Sequence, residues 1–147
     1  MSVTSIVELN GQFPSQSWDC HTAHLTARWG RSGAVITVTG ELDAANADEL
    51  AEYVRRCAAH CEWLVLDFSE LEFMGTAGFA ALHRVNTQCE FHYVHWALVP
   101  GAATLRLLRV CDPDAALPST ESVGVALAKV ALAKVQDFPH QSVPQPR

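Results

Sequence analysis

The residue types able to do chemistry in this chain are its histidines, its cysteines and a few hydroxyls and carboxylates at turns. His92 and His95, in "FHYVHW", stand three apart in a run that reads as a strand. Their side chains then point to opposite faces and cannot share a metal. Cys57, His60 and Cys61 crowd a helix end, but a zinc site needs another ligand and a different spacing. The five cysteines (Cys20, Cys57, Cys61, Cys89, Cys111) are an odd number scattered through apolar segments. That is the usage of reduced thiols serving as small hydrophobes, not of a secreted disulfide framework. Cys57 and Cys61 are one helical turn apart, where disulfide geometry is rarely met. Any redox pairing must therefore join distant segments, with Cys89 and Cys111 as the candidates. Asp67, near the end of an apolar run, reads as a turn-capping carboxylate. No Gly-rich loop is followed by Lys-Ser/Thr, so there is no P-loop. The residues call for no catalytic group, no metal and no cofactor. What is left is a bare corner, "GTAG" at 75–78, at the mouth of a helix and with Thr76 as its one hydroxyl.

The elements around that corner read clearly. "TAHLTARW" alternates Ala23, Leu25, Ala27 and Trp29 with polar or small partners, "GRSG" turns the chain, and "AVITVTGEL" returns as a β-branched strand, which makes a hairpin. In "DAANADELAEYVRRCAAHC", Asp43 is placed to cap a helix whose buried face is Leu50, Tyr53, Val54, Cys57 and Cys61. "WLVLDFS" is a near-continuous apolar run, as in a strand covered on both faces. A helix over 76–88, a strand over 91–99, a short helix in "AATLRLLRV" stopped near Asp112-Pro113, and a helix in "ESVGVALAKVALAKV" complete the pattern. Residues 1–21 read as a loose arm, 22–136 as one domain, and the Pro-rich 137–147 as a disordered tail. The sum is an α/β domain with a mixed sheet of about four to five strands and about four helices.

Composition narrows the function. Of the 147 residues, 49% are hydrophobic and 18% charged, which suits one globular domain with a real core. A formal charge of −6 argues against a nucleic-acid or anionic-membrane surface. No apolar run approaches the ~20 residues of a bilayer span, and the first residues lack the order of a secretory signal, so a cytoplasmic protein is expected.

Two stretches, "VTGELDAANADEL" (38–50) and "LVLDFSELEFMGTAGFAAL" (64–82), resemble the paired signatures of the STAS domain, the fold of bacterial anti-sigma factor antagonists. The likeness runs from about Thr22 to about Gln136. It implies a non-enzymatic protein that sequesters an anti-sigma factor, a kinase-like partner, and so frees a sigma factor in transcription regulation. The partner surface would comprise Asp43, Ala44, Ala45 and Asn46 with Gly75, Thr76, Ala77 and Gly78. In phosphorylation-switched members the corner reads Asp-Ser-Ser/Thr-Gly, and its third residue is the acceptor. That register puts Gly75 at the Asp and Ala77 at the acceptor, so the usual switch is absent. Thr76 is expected to cap the helix, with a substitute acceptor role as the lesser alternative. Gly75 is either a concession to positive φ or the removal of a carboxylate facing the partner. The rival implications are an adaptor assembling with other STAS proteins, and a small-ligand sensor.

Overall fold

The structure, a computed structural model, describes residues 17–142. Among these are six strands: β1 (Ser17–Cys20), β2 (Ala23–Gly30), β3 (Gly33–Leu42), β4 (Trp63–Phe68), β5 (Leu71–Met74) and β6 (His95–Pro100). The four helices are α1 (Ala47–Ala58), α2 (Thr76–Phe91), α3 (Ala102–Cys111) and α4 (Val123–Ser142). The strands form one mixed sheet in the order β1-β2-β3-β4-β6, with β5 also paired to β3. β1, β2 and β3 are antiparallel neighbours, whereas β3–β4, β3–β5 and β4–β6 are parallel.

The alternation in β2 does what it promised: Ala23, Leu25 and Ala27 are buried while His24 and Arg28 face out. β4 is apolar throughout because both its faces are covered. On one side Leu64, Leu66 and Phe68 join the main core with Leu50, Tyr53, Val54, Leu82 and Val85 of α1 and α2. On the other, Val65 packs with Val35, Ala97 and Val99 against Ala126 and Val130 of α4.

Two strands lie where none was expected. β1 sits inside the segment assigned to the arm, with Trp18 against the Tyr53 ring at a centroid distance of 5.2 Å. β5 occupies the stretch between Ser69 and the corner that reads as loop. Both are four residues long, too short for alternation to show. β4 and β5 run one after the other along the same edge of β3, and the β3–β5 ladder shifts register at Gly40/Glu41. Gly40 makes the shift possible: its φ is +90°, and a Cβ there would lie 2.1 Å from the Thr22 carbonyl oxygen.

The boundaries of α2 and β6 differ from the sequence reading. α2 continues to Phe91, and β6 begins only at His95. The helix closes in a Schellman arrangement, with Tyr93 N–H donating to the Glu90 carbonyl, Val94 N–H to that of Cys89, and Tyr93 at φ 59°. Tyr93 fills the position that glycine usually marks, which is why "FHYV" reads as strand. His92 and His95 therefore sit on different elements. The last helix runs to Ser142, past Pro139, into the stretch that reads as tail. Residues 1–16 of the expected arm and 143–147 of the expected tail lie outside the described residues.

Candidate functional site

The two signature stretches meet at one end of the sheet. Leu42, the last residue of β3, is in register with Met74, the last of β5, and the Gly75 N–H donates to the Leu42 carbonyl at 2.9 Å. The starts of α1 and α2 are thereby set side by side. The helices pack through a seam of small residues, Ala47, Ala51 and Ala81, against which Ala77 is packed. Arg84 of α2 pairs with Asp48 of α1 at 2.8 Å along the exposed rim.

The loop 43–46 is built by hydrogen bonds. The Asp43 carboxylate accepts from the Ala45 N–H at 2.9 Å, and the Asp43 carbonyl accepts from the N–H groups of Asn46 and Ala47. Asp43 therefore caps a turn, and the helix proper starts four residues later than its expected cap, at Ala47, behind Asn46. Asn46 is fully buried. Its Oδ1 accepts from the Asp43 N–H, and its Nδ2 donates to the carbonyls of Cys20 and Glu41 at 3.0 and 2.9 Å. It ties β1, β3 and α1 together and cannot touch a partner, which corrects its assignment to the surface. Ala44 and Ala45 are exposed and Asp43 half-buried.

At the corner, Gly75 occupies the N-cap position of α2, and no side chain caps that end. Thr76 is the first helical residue; it is exposed, and its hydroxyl forms no hydrogen bond among the described residues. The expectation that Thr76 is the cap is overturned, because a cap must stand one position earlier, outside the helical turn. Gly75 has φ −90° and ψ 177°, ordinary extended backbone, so positive φ is not its reason. A Cβ there would lie 3.6 Å from the Phe73 ring and 3.9 Å from the Leu42 carbonyl oxygen, ordinary contacts, so the fold tolerates a side chain at this position. Gly78 is different: a Cβ would come within 2.9 Å of Met74 Cγ and 3.1 Å of Leu42 Cδ2, and the close packing of α2 on β3 and β5 needs its absence. Ala77 is half-buried in the α1–α2 seam. Of the eight residues expected at the surface, those that face out fully are Ala44, Ala45 and Thr76.

Sequence reasoning missed a neighbour. Phe73, on β5 just before the corner, is 50% exposed and lines a cleft with Met74, Ala103, Arg106 and Leu107. The two-residue period of a strand would have put Phe73 on the side of Leu71, which is buried, so no signal in the sequence turned it outward. Asp67 does cap its turn, accepting from the Ser69 N–H at 3.0 Å.

The cysteines are all free. Cys20, Cys57 and Cys89 are buried. Desolvation pushes the thiols of Cys61 and Cys89 up to about 12; for Cys20 desolvation and then its hydrogen bond to Glu49 do the same, and Cys57 is raised further still. Protonated thiols are poor nucleophiles. Cys89 lies within electrostatic reach of Cys61, while Cys111 ends α3 in a half-buried position. Among the described residues no group of three or more His, Cys, Asp or Glu side chains could hold a metal, and no helix is long and apolar enough to cross a membrane.

Comparison with known proteins bears on the same segments. The family model described as "STAS domain" matches residues 27–125. Osmosensory protein A of Mycobacterium tuberculosis is 34% identical over 113 residues, covering 74% of this chain and 72% of that protein. Among solved structures, an anti-sigma factor antagonist from Mycobacterium paratuberculosis superposes with a TM-score of 0.64 at 23% identity, covering 74% of this chain and 94% of that one. The anti-sigma factor antagonist SpoIIAA in its unphosphorylated form gives 0.57 at 14% identity, covering 77% and 96%. At these identities the structures share the fold. A chain whose two signature stretches form adjoining helix starts on a mixed sheet, and whose residues 27–125 match that family model, belongs to the STAS domain family.

Proposed function

We propose that this protein acts by binding, without catalysis of its own, as an anti-sigma factor antagonist: it captures a kinase-like anti-sigma factor in the cytoplasm and so frees a sigma factor. The observation that supports this reading is the pairing of Leu42 with Met74, which brings the ends of β3 and β5 together just before two helix starts on which Ala44, Ala45 and Thr76 are exposed. Small side chains at two adjoining helix starts let a partner approach the backbone closely, and Thr76 adds an exposed hydroxyl there. The two antagonist structures that share the fold support the assignment, and the similarity to osmosensory protein A suggests a role in osmotic signalling.

Ala77, at the register of the usual acceptor, has no oxygen and packs toward α1. Any phosphate placed on the corner would thus go to Thr76, adding up to about two negative charges to the interface. A second reading, an adaptor that assembles with other STAS proteins, is favoured by Gly75: the fold tolerates a side chain there, yet the carboxylate of switched corners is missing.

A pull-down from native lysate separates the two readings, since one retrieves an ATP-binding kinase-like protein and the other STAS homologues. Calorimetry against the retrieved kinase-like protein then tests the surface. Thr76→Glu places a carboxylate at the first turn of a helix, where the dipole favours it by roughly 0.3–1 kcal/mol, so the fold should be unharmed. In the complex that carboxylate is desolvated without a matched cation, and affinity should fall about a hundredfold, roughly 2.8 kcal/mol. Unchanged affinity would exclude this surface.

A further inference from the structure

We propose that the cleft between β5 and α3 is a second docking element, which takes an apolar side chain from an acidic amphipathic segment of the partner protein. The inference rests on the reading of the corner as partner-facing and names the chemistry of the surface beside it.

The cleft has a volume of about 230 Å³ and is lined by Phe73, Met74, Ala103, Arg106 and Leu107. Small-molecule and cofactor pockets run to roughly 300–1,000 Å³, so its size suits a single inserted side chain better. It is continuous with the corner, because Phe73 and Met74 directly precede Gly75 and the Phe73 ring lies beside it. The outer face of α3 extends the cleft. Ala102, Leu105, Arg106, Arg109 and Val110 recur at helical spacing, and all are exposed, Val110 by 78%. An exposed apolar strip of this kind on a small domain marks an interaction surface, and arginine and aromatic residues are its usual anchors.

Charge decides what the partner offers. α3 carries no acidic residue, and neither Arg106 nor Arg109 has a carboxylate partner among the described residues. In a chain of net charge −6, two unpaired guanidinium groups flanking apolar side chains select a carboxylate-bearing segment. Glu70 and Glu72, exposed on the neighbouring turn and strand, confine that attraction to the α3 side. A broad anionic sheet such as a bilayer would meet them as well, so a protein segment is the better fit.

The test uses the whole chain and two fluorescein-labelled synthetic peptides of identical leucine pattern, one with glutamate and one with lysine at the remaining positions. Fluorescence anisotropy should show the glutamate peptide binding at least about tenfold tighter than the lysine peptide. Phe73→Ala and Arg106→Glu should each weaken it by about tenfold, with circular dichroism confirming that both variants fold. Arg55→Glu, the same charge reversal on α1 and outside the cleft lining, should leave peptide binding unchanged. If Arg106→Glu alone impairs the kinase-like protein, the corner reading fails and the cleft stands; if Thr76→Glu alone does so, the cleft fails. No binding of the glutamate peptide, equal binding of both peptides, or indifference to Arg106→Glu would overturn the proposal. Sedimentation with phosphatidylglycerol vesicles that is abolished by Arg106→Glu would also overturn it, by assigning the face to lipid.

Discussion

Asn46 uses both ends of its amide inside the fold, and it does so at the base of the loop that presents Ala44 and Ala45. Removing the amide strands the Asp43 N–H and the carbonyls of Cys20 and Glu41. A buried polar group left without a partner costs ~1–3 kcal/mol, so Asn46→Ala should lower the free energy of urea unfolding by about 2–4 kcal/mol. A loss below about 0.5 kcal/mol would mean that water replaces the amide and that the loop is not held by it. Thr76→Ala is the counterpart, because the Thr76 hydroxyl bonds to nothing within the described fold. It should leave stability within about 0.5 kcal/mol of the parent. Residues that look alike in the sequence, each polar and next to a helix start, thus divide into one that builds the surface and one that belongs to it. Asn46 was unreadable as a staple because one of its acceptors, the Cys20 carbonyl, is 26 residues away in the chain.

At the level of elements, the distance between α1 and α2 is set by the alanine seam. Ala81 is fully buried in it beside Ala47 and Ala51. Ala81→Leu should overpack the seam, cost about 1–3 kcal/mol and push Thr76 away from Ala44 and Ala45. Differential scanning calorimetry checks the first effect; an unchanged melting temperature would show that the helices are not in close contact there. The elements that position the corner were legible where periodicity had room to act. β2 alternates over eight residues, β4 is apolar because both faces are covered, and α1 repeats its apolar face over three turns. β1 and β5 were not legible, since four residues cannot establish a period and their pairing depends on partners elsewhere in the chain. The true end of α2 was hidden by a left-handed Tyr93, where glycine would have announced the stop. For the candidate site, the two segments could be read from their resemblance, but which side chains face out could not: Ala77 turns to α1 and Asn46 to the core only because of tertiary contacts.

For the whole molecule, buried thiols set the alkaline limit. Cys20 and Cys89 are pushed up to about 12 and Cys57 higher, against an ordinary value of 9.0. Above pH 9 the unfolded chain releases these protons while the folded chain keeps them. Stability is therefore fully present below that pH and falls above it, by up to about 1.4 kcal/mol per pH unit for each thiol. Urea midpoints measured from about pH 8 to about pH 11 should decline steadily, and a flat profile would mean that the thiols are solvated. The architecture that buries them also leaves one end of the sheet to present two helix starts, and the proposed function stands on that end. The most direct measurement is amide hydrogen exchange with and without the kinase-like anti-sigma factor. Binding should slow exchange in the 43–46 loop and the first turn of α2, and leave α4 and the β1 edge unchanged. Protection confined to α4 or β1, with none at the corner, would contradict the account.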